Sequence, residues 1–435
     1  MQFFYKVVVL FLIVFNFRVP VFYNSAFVSI ILSAFYYIIK RNNIPFTYFF
    51  QRYNAVILIA TVLLAFLVSF IAFLHHTDIM PVRAMRTWIE FMMLGSVVFA
   101  LPLLVEGKEA TALEEIAVII CYAFAIQGLI GLAGFLYAPL GNYLLEMKPD
   151  AIKAAVLAPG ATLPAFRLYN LSGIVFVELT AAFGVAFMVF FWLMLKDKHP
   201  YVSGWKKYLI FAFIFLGNAF AGRTGFIGLG IGLGGWIFFS FTRIFTFIKR
   251  NVWYLVGFPL FLVFIYSFVL SSRQRQLFND ELFPFAFEWY YNYRDYGKFE
   301  VGSAEATPYH YYYLYDETLL KGHGVDAFGD NSIYPHSDAG YTNTLVYGGI
   351  PYLLCLIIYQ CLYLITPINI TQKNNSRDSQ INLVFFVLFF IHMFIVEIKA
   401  PTVGYMHLIE VMFLALGSSY ITQYYFKKEQ EGLAG

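Results

Sequence analysis

The sequence predicts an all-α, polytopic integral membrane protein, and three observations carry that prediction. Of its 435 residues, 60% are apolar and 21% aromatic. Only 13% are charged, roughly half of what a soluble domain carries. Apolar runs of about 20 residues, the length that crosses a bilayer, recur from end to end. The formal net charge of +3 gives no footprint for nucleic acid. Cys121, Cys355 and Cys361 all sit in apolar runs, without the spacing of a metal site or a disulfide framework.

Twelve spans follow, near 3–17, 21–39, 55–74, 88–105, 116–138, 170–195, 207–221, 225–241, 252–271, 342–366, 381–398 and 403–425. No small-residue cleavage site follows the opening "FFYKVVVLFLIVFNF", so it reads as a span and not a signal peptide. One set of connections holds "KRNNIPFTYFFQR", "KDKHPYVSGWKK", "IKRN", "TQKNNSRDSQ" and the tail "FKKEQ". Short and basic, these belong in the cytoplasm, and both termini with them. The other side receives a smaller loop, 139–169, and a large one, 272–341, between helices 9 and 10. The whole chain, 1–435, is then one membrane domain with two outer loops. Within "ATPYHYYYLYDETLLKGHG", a Pro near the start and Gly322 near the end predict an amphipathic helix over 307–321.

The outer side holds Arg18, Arg83, Arg86, Arg167, Arg223, Arg273, Arg275 and Arg294, whereas lysine is the commoner base inside. Topology needs no arginine there. A guanidinium is a fork-shaped donor for phosphate oxygens, and pairing with acids such as Asp78, Asp150, Asp280 and Glu281 is the alternative duty. "AGRTG" at 221–225 puts Arg223 in a tight turn between two apolar runs, with glycines that admit close approach to the backbone. Such a turn fits an anion site, and it equally fits a side chain snorkelling to water. "SSRQRQ" at 271–276 places Arg273 and Arg275 at headgroup level, for phosphate contact or for interfacial anchoring.

"GIGLGG" at 230–235 imitates a dinucleotide fingerprint, but no strand precedes it. Its glycines, Gly228 with Gly232 and Gly230 with Gly234, read as close helix packing. Glu178 inside the sixth span, Glu397 and Glu410 are intramembrane carboxylates that need a cavity or a partner, and His392 and His407 read as core histidines. The dense aromatics of 272–341 suit the flat faces of pyranose rings, or an interfacial belt. Last, "HSDAGYTNTLVYGG" at 336–349 gathers His336, Asp338, Tyr341 and Asn343 where the large loop re-enters an apolar helix. Capping a helix needs one such residue. A histidine or carboxylate at a water boundary is what a general base needs. Residues two apart share a face of an extended segment, so His336 and Asp338 are the predicted base and its partner. His323 in "GHG" is the alternative base, with Tyr341 and Asn343 placed for sugar hydroxyls.

These features together resemble the O-antigen polymerase and ligase superfamily, specifically the Wzy-type polymerases. The resemblance rests on "AGRTG" between two spans, the large loop entered through "SSRQRQ", then "LLKGHGVDAF" and "PHSDAGYTNTLVYGGIPYLL". It covers roughly residues 165–365 in pattern and the whole chain in topology. Arg223 follows Gly where the family often has Ser, and "HS" stands where ligases commonly show "HN". The resemblance implies a bacterial inner-membrane, inverting glycosyltransferase that joins undecaprenyl-diphosphate-linked oligosaccharide repeat units at the periplasmic face, building O-antigen, capsule or a related glycan. It implies no metal and no cofactor. The partners it implies are the lipid-linked sugars, membrane lipids and a chain-length regulator protein. Arg83, Arg86, Arg167, Arg223, Arg273, Arg275 and Glu178 become its expected substrate-binding residues. An O-antigen ligase is the alternative within the class, and a transporter or flippase of lipid-linked sugars is the alternative outside it.

Overall fold

In the computed structural model, the described residues are 2–19, 24–40, 50–75, 82–148, 153, 165–173, 176–196, 200–241, 260, 263–298, 307–326, 335, 337–374, 376–402 and 407–432. Helix dominates them, and no strand occurs among them. The main helices are α1 (Gln2–Phe15), α2 (Ser25–Lys40), α3 (Arg52–Leu74), α4 (Val82–Val105), α5 (Ala112–Leu136), α6 (Ala138–Glu146), α7 (Val177–Lys196), α8 (Lys206–Ala221) and α9 (Gly225–Ser240). They continue with α10 (Ser272–Leu277), α11 (Glu288–Tyr296), α12 (Asp316–Lys321), α13 (Gly340–Lys373), α14 (Arg377–Glu397) and α15 (His407–Gln430). Six of them, α3, α4, α5, α7, α13 and α14, are long and apolar enough to cross a membrane. This is an all-α, membrane-embedded protein. Half of the predicted ninth span, 252–271, lies outside the described residues, as do positions 403–406 of the twelfth.

Contacts divide the chain into two compact units, Met1–Ser25 with Ala117–Val301, and Ala26–Ile116 with Gly302–Gly435. The 272–341 stretch is therefore shared between them, its first part in unit 1 and its second in unit 2.

In unit 1, α7 is buried nearly all round from Leu179 to Phe190. Such a helix needs neighbours on every side, and small residues let them come close. A Cβ at Gly228 would strike the Gly184 backbone, and one at Gly232 would lie 2.9 Å from the Met188 Cα. The predicted glycine packing holds for that pair, whereas Gly230 and Gly234 face open space. Glu178 lies in the first turn of α7, at the end of that candidate span. The helix begins at 177 instead of 170, so its carboxylate meets the positive end of the helix dipole. Phe135, Phe166, Phe220, Leu270 and Leu282 form a cluster that packs the start of the large loop against the ends of α5 and α8. Ser271 and Gln274 form a capping box at α10. The Gln274 amide also donates to the Leu136 carbonyl at 2.9 Å, tying α10 to the end of α5.

In unit 2 the packing turns on a break in α13. Pro351 has no N–H for the Tyr347 carbonyl, and Gly349, at φ 67°, leaves helical geometry altogether. The "GHG" turn fills the gap: the His323 N–H donates to Val346 O at 2.7 Å and the Gly324 N–H to Tyr347 O at 2.9 Å. Gly322, at φ 66°, lies so close that a Cβ would meet the Gly348 nitrogen at 2.5 Å. The predicted helix over 307–321 is shorter than expected. Thr307–His310 is a 3₁₀ turn, 311–315 is extended, and only Asp316–Lys321 is α-helical. The tyrosine hydroxyls explain this, because Tyr311 reaches Ile398 O at 2.7 Å and Tyr312 reaches Pro335 O at 2.9 Å. Adjacent residues anchored to separate segments favour extended backbone over a helical turn.

Candidate functional site

Unit 1 gathers its arginines where α8 ends. Gly222 follows the last residue of α8, and Arg167 approaches the chain there. Its Nε donates to Ala221 O at 3.1 Å, and a Cβ at Gly222 would come within 3.2 Å of its Nη2. The glycine in "AGRTG" thus makes room for a second arginine. Arg167 is 8% exposed. Its guanidinium lies between the Phe176 ring (4.7 Å) and the Phe285 ring (4.8 Å). Among the described residues no carboxylate pairs with it. The helix C-terminus and the two ring faces stabilise the cation in part, yet a buried charge without a counter-ion is costly. Burial, helped by the nearby Arg223 charge, pulls its pKa down to about 10, so it remains cationic at neutral pH.

Arg223 stands over the same Phe285 ring at 4.9 Å. It is paired with Glu288 at the start of α11, and burial lowers its pKa. Glu288, 65 residues along the chain, was not among the acids expected as partners; of those, Asp78 and Asp150 lie outside the described residues. Tyr169 lies close enough to feel both Glu281 and Arg273, though burial is the main cause of its raised pKa. Arg273 is exposed and Arg275 half-buried on α10, and the Arg275 Nε is buried without a hydrogen-bond acceptor.

Behind these arginines Lys148 is buried, its ammonium donating to Asn170 O (2.8 Å), Asn170 Oδ1 (2.7 Å) and Ser172 O (2.5 Å). The Asn170 amide in turn donates to Arg167 O at 2.8 Å. Lys148 therefore fixes the segment that carries Arg167. Desolvation draws its pKa down to about 7.

Unit 2 holds the predicted base segment. His336 lies outside the described residues. The Asp338 side chain is 54% exposed and stands 3.9 Å from the Nε2 of His310, a residue the sequence did not single out. The Asp338 backbone N–H donates to His310 Nδ1 at 3.2 Å. That bond assigns the ring proton of a neutral His310 to Nε2, facing the carboxylate. The other polar residues of the stretch serve the turn. Asn343 is fully buried, its amide donating to Ser337 O (2.6 Å) and Ala339 O (3.1 Å). The Tyr341 hydroxyl donates to Phe394 O at 3.4 Å, and the Ser337 hydroxyl to His310 O at 2.9 Å. Burial lowers the pKa of His323, and its Nε2 is engaged by the Thr318 hydroxyl at 2.7 Å.

Arg83 contrasts with Arg167. It is 1% exposed, but its Nε meets Asp326 Oδ1 at 2.9 Å, and its guanidinium faces the Tyr347 ring at 4.9 Å and the Tyr352 ring at 5.7 Å. Its charge is matched, and it pins the segment after "GHG" to α4 and α13. Arg86, one turn on in α4, is half-buried.

Of the two buried arginines among the described residues, Arg83 is matched by a carboxylate and Arg167 is not; fold and site together give an all-α membrane protein with a cationic, aromatic-walled site in unit 1. No known family profile, curated protein or solved structure matches the chain.

Proposed function

We propose that the protein is a polysaccharide polymerase of the bacterial inner membrane, taking undecaprenyl-diphosphate-linked oligosaccharides as substrates. In this reading twelve spans place both termini in the cytoplasm, and residues 139–169 and 272–341 lie at the periplasmic face. The observation that carries the reading is Arg167, a buried guanidinium with no carboxylate partner among the described residues, which shares the Phe285 ring with Arg223. Such a pair suits a diphosphate: it binds the anion and then stabilises the charge that develops as this group leaves. Arg273 and Arg275 add cations on the same unit. Transfer also needs a group to take the acceptor's proton; Asp338 beside His310 is an exposed carboxylate of the kind required, but it belongs to unit 2 and not to the unit that carries these arginines.

A deletion strain should lose the polymer ladder while retaining single repeat units. Arg223→Ala should reproduce that loss at normal protein level, with Arg223→Lys restoring part of it. Full polymer in Arg223→Ala would mean that the arginine only snorkels. A transporter of lipid-linked sugars is the second reading. It is favoured by the fully buried carboxylates Glu90, Glu397 and Glu410 in the helices of unit 2, a residue type that marks ion and substrate paths in membranes. Purified protein that joins repeat units in detergent, where nothing can be transported, decides for the polymerase.

A further inference from the structure

Residues 283–291, "FPFAFEWYY", do more than supply Phe285 to the arginines. Phe283, Phe287, Trp289, Tyr290 and Tyr291 line an open cleft of 340 Å³. Phe287 is fixed from behind by near-parallel stacking on Phe226 of α9, at 6.4 Å between centroids. Glu288 lies in the same strip of chain, between Phe287 and Trp289, and its carboxylate meets Arg223. The Glu288 side chain is 28% exposed, although the Oε2 that meets Arg223 is buried. An aromatic cleft and a carboxylate thus sit on one short segment of unit 1, with Arg167 and Arg223 against its Phe285 ring.

We propose that Glu288 is the general base of the transfer and that the aromatic cleft beside it holds the pyranose ring of the acceptor. This rests on the polymerase reading above. In the resting protein Glu288 occupies the anion place at Arg223, and an ion-paired carboxylate is a weak base. A diphosphate carries more charge than a carboxylate and displaces Glu288 from the arginine. The freed carboxylate is then surrounded by aromatic rings and stands near a second anion, and both conditions strengthen it as a base. The base is therefore switched on by donor binding. In the reaction, an acceptor hydroxyl gives its proton to a Glu288 oxygen, and its oxygen forms a bond to the donor's anomeric carbon. The bond from that carbon to the phosphate oxygen breaks, and its electron pair leaves with undecaprenyl diphosphate, held by Arg167 and Arg223. Glu288 then returns its proton to water and can pair with Arg223 again.

The test uses full-length protein in nanodiscs, with binding of undecaprenyl diphosphate followed by native mass spectrometry. Transfer is measured on lipid-linked oligosaccharide extracted from a deletion strain. Glu288→Gln should bind undecaprenyl diphosphate at least as tightly as wild type, since Arg223 loses its internal competitor. Its transfer rate should fall by about 10²–10⁴-fold, and Glu288→Asp should recover part of the rate. Trp289→Ala should raise the acceptor KM and leave undecaprenyl diphosphate binding unchanged. Near-normal transfer by Glu288→Gln overturns the base. Loss of binding and rate together in that variant also overturns it, showing a role in building the site. Weaker undecaprenyl diphosphate binding in Trp289→Ala assigns the cleft to the lipid tail and overturns the acceptor assignment. Failure of the wild-type protein itself to bind undecaprenyl diphosphate is a distinct result, which removes the polymerase reading and this inference with it.

Discussion

Arg167→Met separates a binding arginine from a structural one. The substitution keeps an unbranched, flexible side chain between Phe176 and Phe285 and removes the charge. The loss includes the hydrogen bond from Nε to Ala221 O, about 1.5–3 kcal/mol for a charged donor. It also includes ring contacts worth up to ~2 kcal/mol when desolvated. Against this stands release from burying a cation that no carboxylate matches among the described residues, a penalty of several kcal/mol. The terms nearly cancel, so the melting temperature in detergent should stay the same or rise. Function should move the other way. A donor aimed at the leaving diphosphate is worth ~2.7–4 kcal/mol, so transfer should fall by about 10²–10³-fold. Thermal unfolding and the transfer assay on one preparation give both readings. A variant that melts well below wild type, yet transfers normally in its folded fraction, would refute the argument and leave Arg167 as a helix C-cap.

Three further outcomes follow from the geometry. Lys148 titrates near 7 when folded and near the ordinary lysine value of about 10.4 when unfolded. Between these values the unfolded chain binds the extra proton, so wild-type stability should rise with pH across the window, and Lys148→Met should flatten that rise in pH-dependent melting. Gly322→Ala forces a Cβ at φ 66° into the Tyr347–Gly348 backbone and should destabilise by more than about 1 kcal/mol, whereas Gly230→Ala, facing open space, should melt near wild type. A cysteine at Ser303 should react with a membrane-impermeant thiol reagent in cells with a permeabilised outer membrane, and one at Ser376 should not; the reverse pattern inverts the topology.

The helices were legible because burial in a membrane imposes long apolar runs, and the Gly228–Gly232 stripe because close packing needs small residues four apart. Tertiary placement was not legible. Arg83 and Arg167 read alike in sequence, as outer-side arginines, and differ only because Asp326 reaches one of them. Glu288 sat unremarked in an aromatic run, since its partner Arg223 is 65 residues distant and no local pattern joins them. His310 was hidden in the same way among tyrosines.

Part of the polar density in "HSDAGYTNTLVYGG" answers to the backbone, whatever chemistry the stretch carries. A chain entering an apolar helix from a loop has backbone groups to satisfy at its first turn. A helix broken at Gly349 beside Pro351 has more of them a few residues on. The Ser337 Oγ accepts from the Ala339 N–H at 3.2 Å and His310 Nδ1 from the Asp338 N–H at 3.2 Å, while the Asn343 amide donates to the Ser337 and Ala339 carbonyls. The "GHG" turn meets the second with its own backbone amides. Once these bonds are assigned, Asp338 is the side chain of the described stretch that projects a titratable group into solvent, with His310 alongside. Polar residues at a membrane boundary therefore answer first to the backbone. A site is better sought where a buried guanidinium has no carboxylate partner, and among the described residues Arg167 is such a group.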